Sequence, residues 1–352
     1  MDKSDRIVMA HGAGGYLMHR LIKEHILSIL PRDNFEVGLH ALDDSAVVND
    51  VVFKSDSYTV KPLFFPGGDI GRLAVSGTVN DISVMGGKPI ALSLALVLEE
   101  GFPIYDLDRI MQSIASTCRE ADVYVVTGDT KVVEKGSLDG CIINCSGIGV
   151  RSQYLDYNID VVRRFRGGIE ARWLLDSNIR PGDKIIVSGT IGDHGVAILS
   201  CREGYGFESS IKSDVRPLNR MIEKVLSVGG VVSMKDPTRG GLANLLNEWS
   251  EKSHVGILIK EEDIPIREGV RAACEMLGID PLEIGNEGKV VLAVVAEMAE
   301  EILEVLRETD EGKDAAIIGE ATDEFEGVAM ETLIGGKRII PPPLGDPVPR
   351  IC

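Results

Sequence analysis

Asp236-Pro237-Thr238-Arg239-Gly240-Gly241 sits at the mouth of an apolar helical pattern, Gly240–Lys252, and its turn sets the reading of the chain. An aspartate beside proline and glycine bonds its own backbone and tolerates a sharp bend. Turns of the same kind recur at Asp43-Asp44-Ser45-Ala46, Asn80-Asp81, Gly128-Asp129-Thr130-Lys131 and Gly192-Asp193-His194-Gly195. Singly, each is an ordinary turn or helix cap. Together they matter, because several follow a strand or open a helix, which places their carboxylates at one end of a sheet.

Working outward, segments rich in β-branched residues alternate with patterns of 3.6 period. Strands are expected at Ala91–Leu98, Val123–Thr127, Cys141–Val150, Lys184–Ser188, Val255–Lys260, Lys289–Ala296 and Ala315–Gly319. Helices are expected at Leu17–Leu30, Gly71–Met85, Asp106–Ala121, Pro217–Val228, Gly240–Lys252, Ile266–Leu277 and Ala296–Glu308. The polar, Arg-rich stretch Arg151–Arg172 is the best place for a domain boundary, and 352 residues suit two domains. The expectation is an α/β (α+β) protein with an N-terminal arm and helix (1–40), a first domain (41–155), a second (156–335) and a tail (336–352).

The chain carries a net charge of -18, which disfavours nucleic acid and anionic membranes as partners. There is no run of eighteen apolar residues and no signal-peptide pattern at Met1–Arg6, so a cytoplasmic protein is expected. None of the six cysteines forms a C-x-x-C pair. Cys141 and Cys145 lie about 13 Å apart along one strand face, too far for a disulfide. Cys118 and Cys274 complete helical apolar stripes.

Cys352 differs, because it ends Pro341-Pro-Pro-Leu-Gly-Asp-Pro-Val-Pro-Arg-Ile-Cys352, with Gly335-Gly336 as a hinge before it. So many prolines exclude helix and central strand, leaving an extended arm that sweeps roughly 50 Å. A thiol on such an arm suits the carriage of a covalently attached group.

Mg²⁺ takes one or two carboxylates plus water and phosphate oxygens, so scattered aspartates suffice for it. The helix opened by Asp236–Gly241, the Gly-rich start His11-Gly-Ala-Gly-Gly15 and the stretch Lys61-Pro-Leu-Phe-Phe-Pro-Gly-Gly-Asp69 could each meet phosphates. Walker, dinucleotide and Gly-x-Ser-x-Gly motifs are missing.

These stretches, with Val79-Asn-Asp-Ile-Ser83, Thr127-Gly-Asp-Thr-Lys-Val-Val133, Gly285-Asn-Glu-Gly-Lys289 and Pro349-Arg-Ile-Cys352, resemble the HypE family of hydrogenase maturation factors over essentially the whole chain. That family belongs with aminoimidazole ribonucleotide synthetase, selenophosphate synthetase and thiamine monophosphate kinase. The resemblance implies two α/β domains, a homodimer built on the N-terminal domains and ATP at or near the dimer interface. It further implies that HypF carbamoylates the terminal cysteine. ATP then drives dehydration of the thiocarboxamide to a thiocyanate, and cyanide passes to iron on HypC–HypD.

By the same resemblance Asp44, Asp81, Asp129 and Asp236 are expected to hold Mg²⁺–ATP, with Thr59, Lys61 and Gly128 along the nucleotide and Asp43 behind. Lys131 and Glu287 are the acid/base candidates and Cys352 the modified thiol. His11 and His194 could reach phosphate, and Asn286 could orient the thiocarboxamide. Selenophosphate synthetase would need a Cys or selenocysteine near the N-terminus, and no cysteine precedes Cys118.

Overall fold

The computed structural model describes residues 6–167, 170–202, 210–345, 347–348 and 350–352. Met1–Asp5 of the expected arm and Pro349 of the terminal motif lie outside the described residues.

The arm folds as α1 (Gly15–Leu21), which runs on as a π-helical stretch, Ile22–Leu27. The first sheet is built from β1 (Ala46–Val48), β2 (Val51–Tyr58), β5 (Gly87–Glu99), β6 (Tyr124–Val133) and β7 (Cys141–Arg151), in the order β1-β2-β7-β5-β6. Two short strands, β3 (Phe64–Phe65) and β4 (Gly68–Asp69), pair as a small hairpin before α2 (Ile70–Val84). Asp69 caps α2 by accepting from the Gly71 and Arg72 amides at 2.7 and 3.0 Å. Nearly every α2 residue is buried, with Arg72 near its start the exception. Near its end Asn80 bonds the second domain, accepting from the Leu218 amide at 2.8 Å and donating to the Arg216 carbonyl at 3.1 Å. α3 (Ile104–Ala121) supplies the crossover between the parallel strands β5 and β6.

The second sheet contains β8 (Lys184–Val187), β9 (Val231–Lys235), β10 (Gly256–Lys260), β11 (Val291–Val294), β12 (Ala316–Thr322), β13 (Gly327–Glu331) and β14 (Lys337–Ile339), ordered β14-β13-β10-β12-β8-β11-β9. Around it lie α4 (Leu155–Phe165), α5 (Asp193–Ser200), α6 (Asn219–Val228), α7 (Gly241–Ser253), α8 (Glu268–Leu277) and α9 (Ala299–Arg307). The Arg-rich stretch expected to be a boundary thus contains a helix. Its apolar face, Leu155, Ile159 and Val162, packs on α6 and β9, while the arginines point outward.

The two sheets share one core: Val47, Val52 and Ile82 pack with Leu174, Met221 and Leu292. That contact brings the ends of β9 and α2 together. Gly241 makes the turn after β9 possible, with φ +60° and carbonyls of Leu282 and Ile284 both 2.6 Å from where a Cβ would be. Gly241→Ala is therefore expected to lower stability by about 1–3 kcal/mol. A denaturation midpoint equal to the parent's would contradict that.

Candidate active site

Three elements deliver three carboxylates to one point between the domains. Asp44 comes from the loop before β1, Asp81 from α2, and Asp236 from the residue after β9. One oxygen from each lies within 4.8 Å of the others. Burial pushes all three carboxyl pKa values up; for Asp81 the result is about 6, with Asp44 and Asp56 adding repulsion against the pull of Lys54. Asp236 is raised well above the usual carboxyl range, by burial and then by Asp81 and Asp44. Carboxylates forced together in this way are relieved by a divalent cation, so the donor set fits Mg²⁺.

Lysines surround the triad. Lys54 bonds Asp81 at 2.8 Å. Lys235 reaches Asp44 at 2.7 Å, Asp176 at 3.1 Å and Glu248 at 3.2 Å. Burial alone would discharge Lys235, but the carboxylates of Asp176, Asp44 and Glu248 outweigh it and hold the ammonium charged. Lys252 joins Asp176 at 2.7 Å and Asp43 at 3.4 Å, and Trp249 donates to Asp176 at 2.8 Å. Asp43, raised to about 6 mainly by burial, also accepts the Asp176 amide at 3.2 Å, so it braces the site from behind.

Cys352 lines the same cleft, together with Asp44, Asp81, Asp236, Arg239 and Glu287. The chain's last residues are docked in its own site. Thr59 donates to the Cys352 carbonyl at 3.4 Å, and the Lys61 amide to that of Arg350 at 3.1 Å. Arg239 lies 3.6 Å from Asp56, and its pKa is raised chiefly by the charge of Cys352. Glu287 is 2% exposed, with no hydrogen-bond partner for Oε1 among the described residues. Burial first, then the charge of Asp214, pushes its carboxyl well above the usual range.

Other expected residues fall elsewhere. Gly128, Asp129 and Lys131 lie on β6, exposed, with Asp129 and Lys131 3.5 Å apart. Within one chain they are not part of the acidic cleft. The Lys61 side chain points out to Asp139 at 2.6 Å. His11 is a turn residue whose Nδ1 accepts the Val8 amide at 3.0 Å. Asn286 is spent on backbone, accepting from the Gly192 amide at 2.7 Å and donating to the Ile284 carbonyl at 3.1 Å. His194 is fully buried and bonds the tail rather than lining the cleft. Lys54, Asp176, Lys235, Glu248 and Lys252 had no motif to announce them, although Lys235 adjoins Asp236 in sequence.

Two α/β domains in this order are the fold of the AIR synthase related proteins, and the acidic cleft of this chain lies where the two meet. The family model of their N-terminal domain matches residues 42–151, and that of their C-terminal domain matches 180–330. The chain belongs to the HypE family within that group, the carbamoyl dehydratases of hydrogenase maturation. It is 52% identical to a Methanocaldococcus jannaschii protein named for hydrogenase expression and formation, over 99% of this chain and 100% of that one. It is 45% identical to the carbamoyl dehydratase HypE of Azotobacter vinelandii, over 99% of this chain and 98% of that one. Among solved structures, the chain of a HypE–HypF complex is 46% identical, with a TM-score of 0.82 over 92% of this chain and 99% of that one. A HypE structure in complex with ATP is 40% identical, with a TM-score of 0.78 over 99% and 100%.

Proposed function

We propose that this chain is an ATP-dependent carbamoyl dehydratase whose substrate is its own S-carbamoylated Cys352. The observation that carries this reading is the placement of Cys352 in one cleft with Asp44, Asp81, Asp236 and Glu287. In the reaction the carbamoyl oxygen attacks the γ-phosphorus of ATP, ADP leaves, and one N–H proton is lost to give an S-bound imidoyl phosphate. Removal of the second N–H proton then breaks the C–O bond, expels phosphate and leaves S–C≡N. Phosphorylation is needed because an amide oxygen is a poor leaving group.

Asp44, Asp81 and Asp236 would hold Mg²⁺, which when bound supplies charge neutralisation for the transferred phosphoryl group. Glu287 is assigned the second proton. Its carboxylate is buried, its Oε1 is unpartnered, and its raised pKa makes it a stronger base than an exposed glutamate. Arg239, between Asp56 and Cys352, is placed to offset negative charge beside the thiol. Thr59 holds the Cys352 carbonyl.

We further place Gly128, Asp129 and Lys131 at the interface of a homodimer. Their strand β6 is the outer strand of its sheet and exposes Tyr124, Val126 and Val132. In that assembly Asp129 and Lys131 serve across the interface rather than within one chain. The working units are an arm (1–40), a nucleotide-binding domain (41–155), a second domain (156–335) and the tail (336–352), whose first residues, β14, remain part of the second sheet. Carbamoyl transfer falls to HypF, and the cyanide acceptor is HypC–HypD, in the cytoplasm.

Intact mass tests the reading. Chain incubated with the carbamoylating partner should gain a carbamoyl group, then lose the mass of one water when Mg²⁺ and ATP are added. Cys352→Ala should show neither step. An adduct that still forms and dehydrates in that variant would overturn the assignment.

A further inference from the structure

His194 stands at the start of α5, fully buried and edge-on to Phe65 at 5.5 Å. Its Nε2 lies 2.8 Å from the Ile351 carbonyl, and its Nδ1 lies 2.7 Å from Ser213 Oγ. A carbonyl can only accept, so Nε2 bears the proton and donates it. Nδ1 is then an acceptor, and the Ser213 hydroxyl donates to it while accepting the Val215 amide at 3.1 Å. One tautomer satisfies every group. Burial lowers the His194 pKa and so favours this neutral form.

The neighbouring contacts say what that bond holds. Carbonyls of three successive tail residues are each caught: Arg350 by the Lys61 amide and by Arg202, Ile351 by His194, and Cys352 by Thr59. The Arg350 side chain adds bonds to the Thr59 carbonyl and to Asp139, both at 2.9 Å. Of the three carbonyl anchors, only the one at Ile351 is fully buried, so only its loss strands an acceptor away from water. The tail is also bent: Arg350 sits at φ +58°, a left-handed conformation that a non-glycine residue holds only when its surroundings impose it. The Ile351 side chain fills the space over Gly285, whose would-be Cβ lies 2.5 Å from it.

We propose that His194, oriented by Ser213, is the positioning residue that seats the Ile351–Cys352 segment so that the Cys352 thiol is held in the acidic cleft. It touches no reacting atom and acts through the peptide. The inference rests on the reading of Cys352 as substrate, but its own readout is thiol accessibility, which needs no turnover.

The test follows alkylation of Cys352 by iodoacetamide, read on the C-terminal peptide by mass so that exposed Cys201 does not interfere. Parent, His194→Ala, His194→Asn and His194→Gln chains are compared. The glutamine amide nitrogen reaches the place of Nε2 and can donate; the asparagine nitrogen stops at the place of Nδ1. Alanine and asparagine should raise the alkylation rate roughly 10–100-fold, glutamine should restore it towards the parent rate, and dehydration of pre-carbamoylated chain should fall in the same order. Comparison is confined to variants that bind ATP as the parent does, with Ser213→Ala as a milder change of the same sign. Parent-like alkylation in His194→Ala and His194→Asn, or glutamine no better than alanine, overturns the proposal. A parent chain whose tail resists alkylation, but whose carbamoylated cysteine never dehydrates, would instead sink the enzymatic reading and leave the tether standing.

Discussion

Lys235→Met is expected to destabilise the protein by about 3–5 kcal/mol, the effect of leaving buried charges without their counter-ion. Methionine matches the length of the lysine stem but removes the ammonium shared by Asp44, Asp176 and Glu248. Glu248 shows what is lost. Burial pushes its carboxyl up, yet Lys235 and His19 more than compensate and hold it at about 2. Without Lys235 these carboxyls titrate at higher pH in the folded chain. A carboxyl whose folded pKa is raised takes stability away above that pKa and takes none below its unfolded value, about 4. The deficit of Lys235→Met should therefore be larger near pH 8 than near pH 5. Urea denaturation at both pH values measures it. A loss under about 1 kcal/mol at the higher pH would show that the network around Asp176 does not depend on this cation.

Asp236→Asn should act in the opposite sense on stability and on activity. Its carboxylate is crowded by Asp81, Asp44 and Glu287, so removing the charge relieves repulsion in metal-free protein. The metal-free variant should melt at or above the parent temperature. Its ATP-dependent conversion of the carbamoylated cysteine should fall about a hundredfold or more, some 2.7 kcal/mol of barrier, because the cation that would neutralise the phosphoryl group loses one of its three carboxylates. Mg²⁺ is expected to raise the melting temperature of the parent, and that rise should shrink in the variant. Gain of stability with loss of function marks a site kept for chemistry rather than folding. Turnover equal to the parent's would remove Asp236 from the site.

Asp44 and Asp236 were legible because they sit in turns beside β1 and β9; Asp81, expected in a turn, lies inside α2, and packing of the second domain on that helix brings the three together. Asp129 obeys the same local rule in Gly128-Asp129-Thr130-Lys131, yet that segment lies within β6 and faces solvent in one chain. Local chemistry reports that an aspartate is available, not which neighbour it meets. Some elements escaped for related reasons. β2 reads Val51-Val-Phe-Lys-Ser-Asp-Ser-Tyr58, with Lys54 and Asp56 interrupting the inner face marked by Val52 and Tyr58, and β9 is five buried residues lacking any period. α4 hid behind its arginines, and α5 was read only as a turn at Gly192–Gly195.

By itself the chain's order of residues determined the alternation of strands and helices, the aspartate turns and a proline-rich tail ending in a thiol, since each depends on backbone preferences or spacing within a few residues. Only the tertiary structure decided that Lys54, Lys235 and Lys252 neutralise the cleft, that Glu287 has an unpartnered oxygen there, and that His194 holds the tail instead of facing the cleft. Those are contacts between residues tens to hundreds of positions apart, such as Ile351 with His194 and Asp44 with Lys235. Burial sets their protonation, and burial is a property of the packed whole.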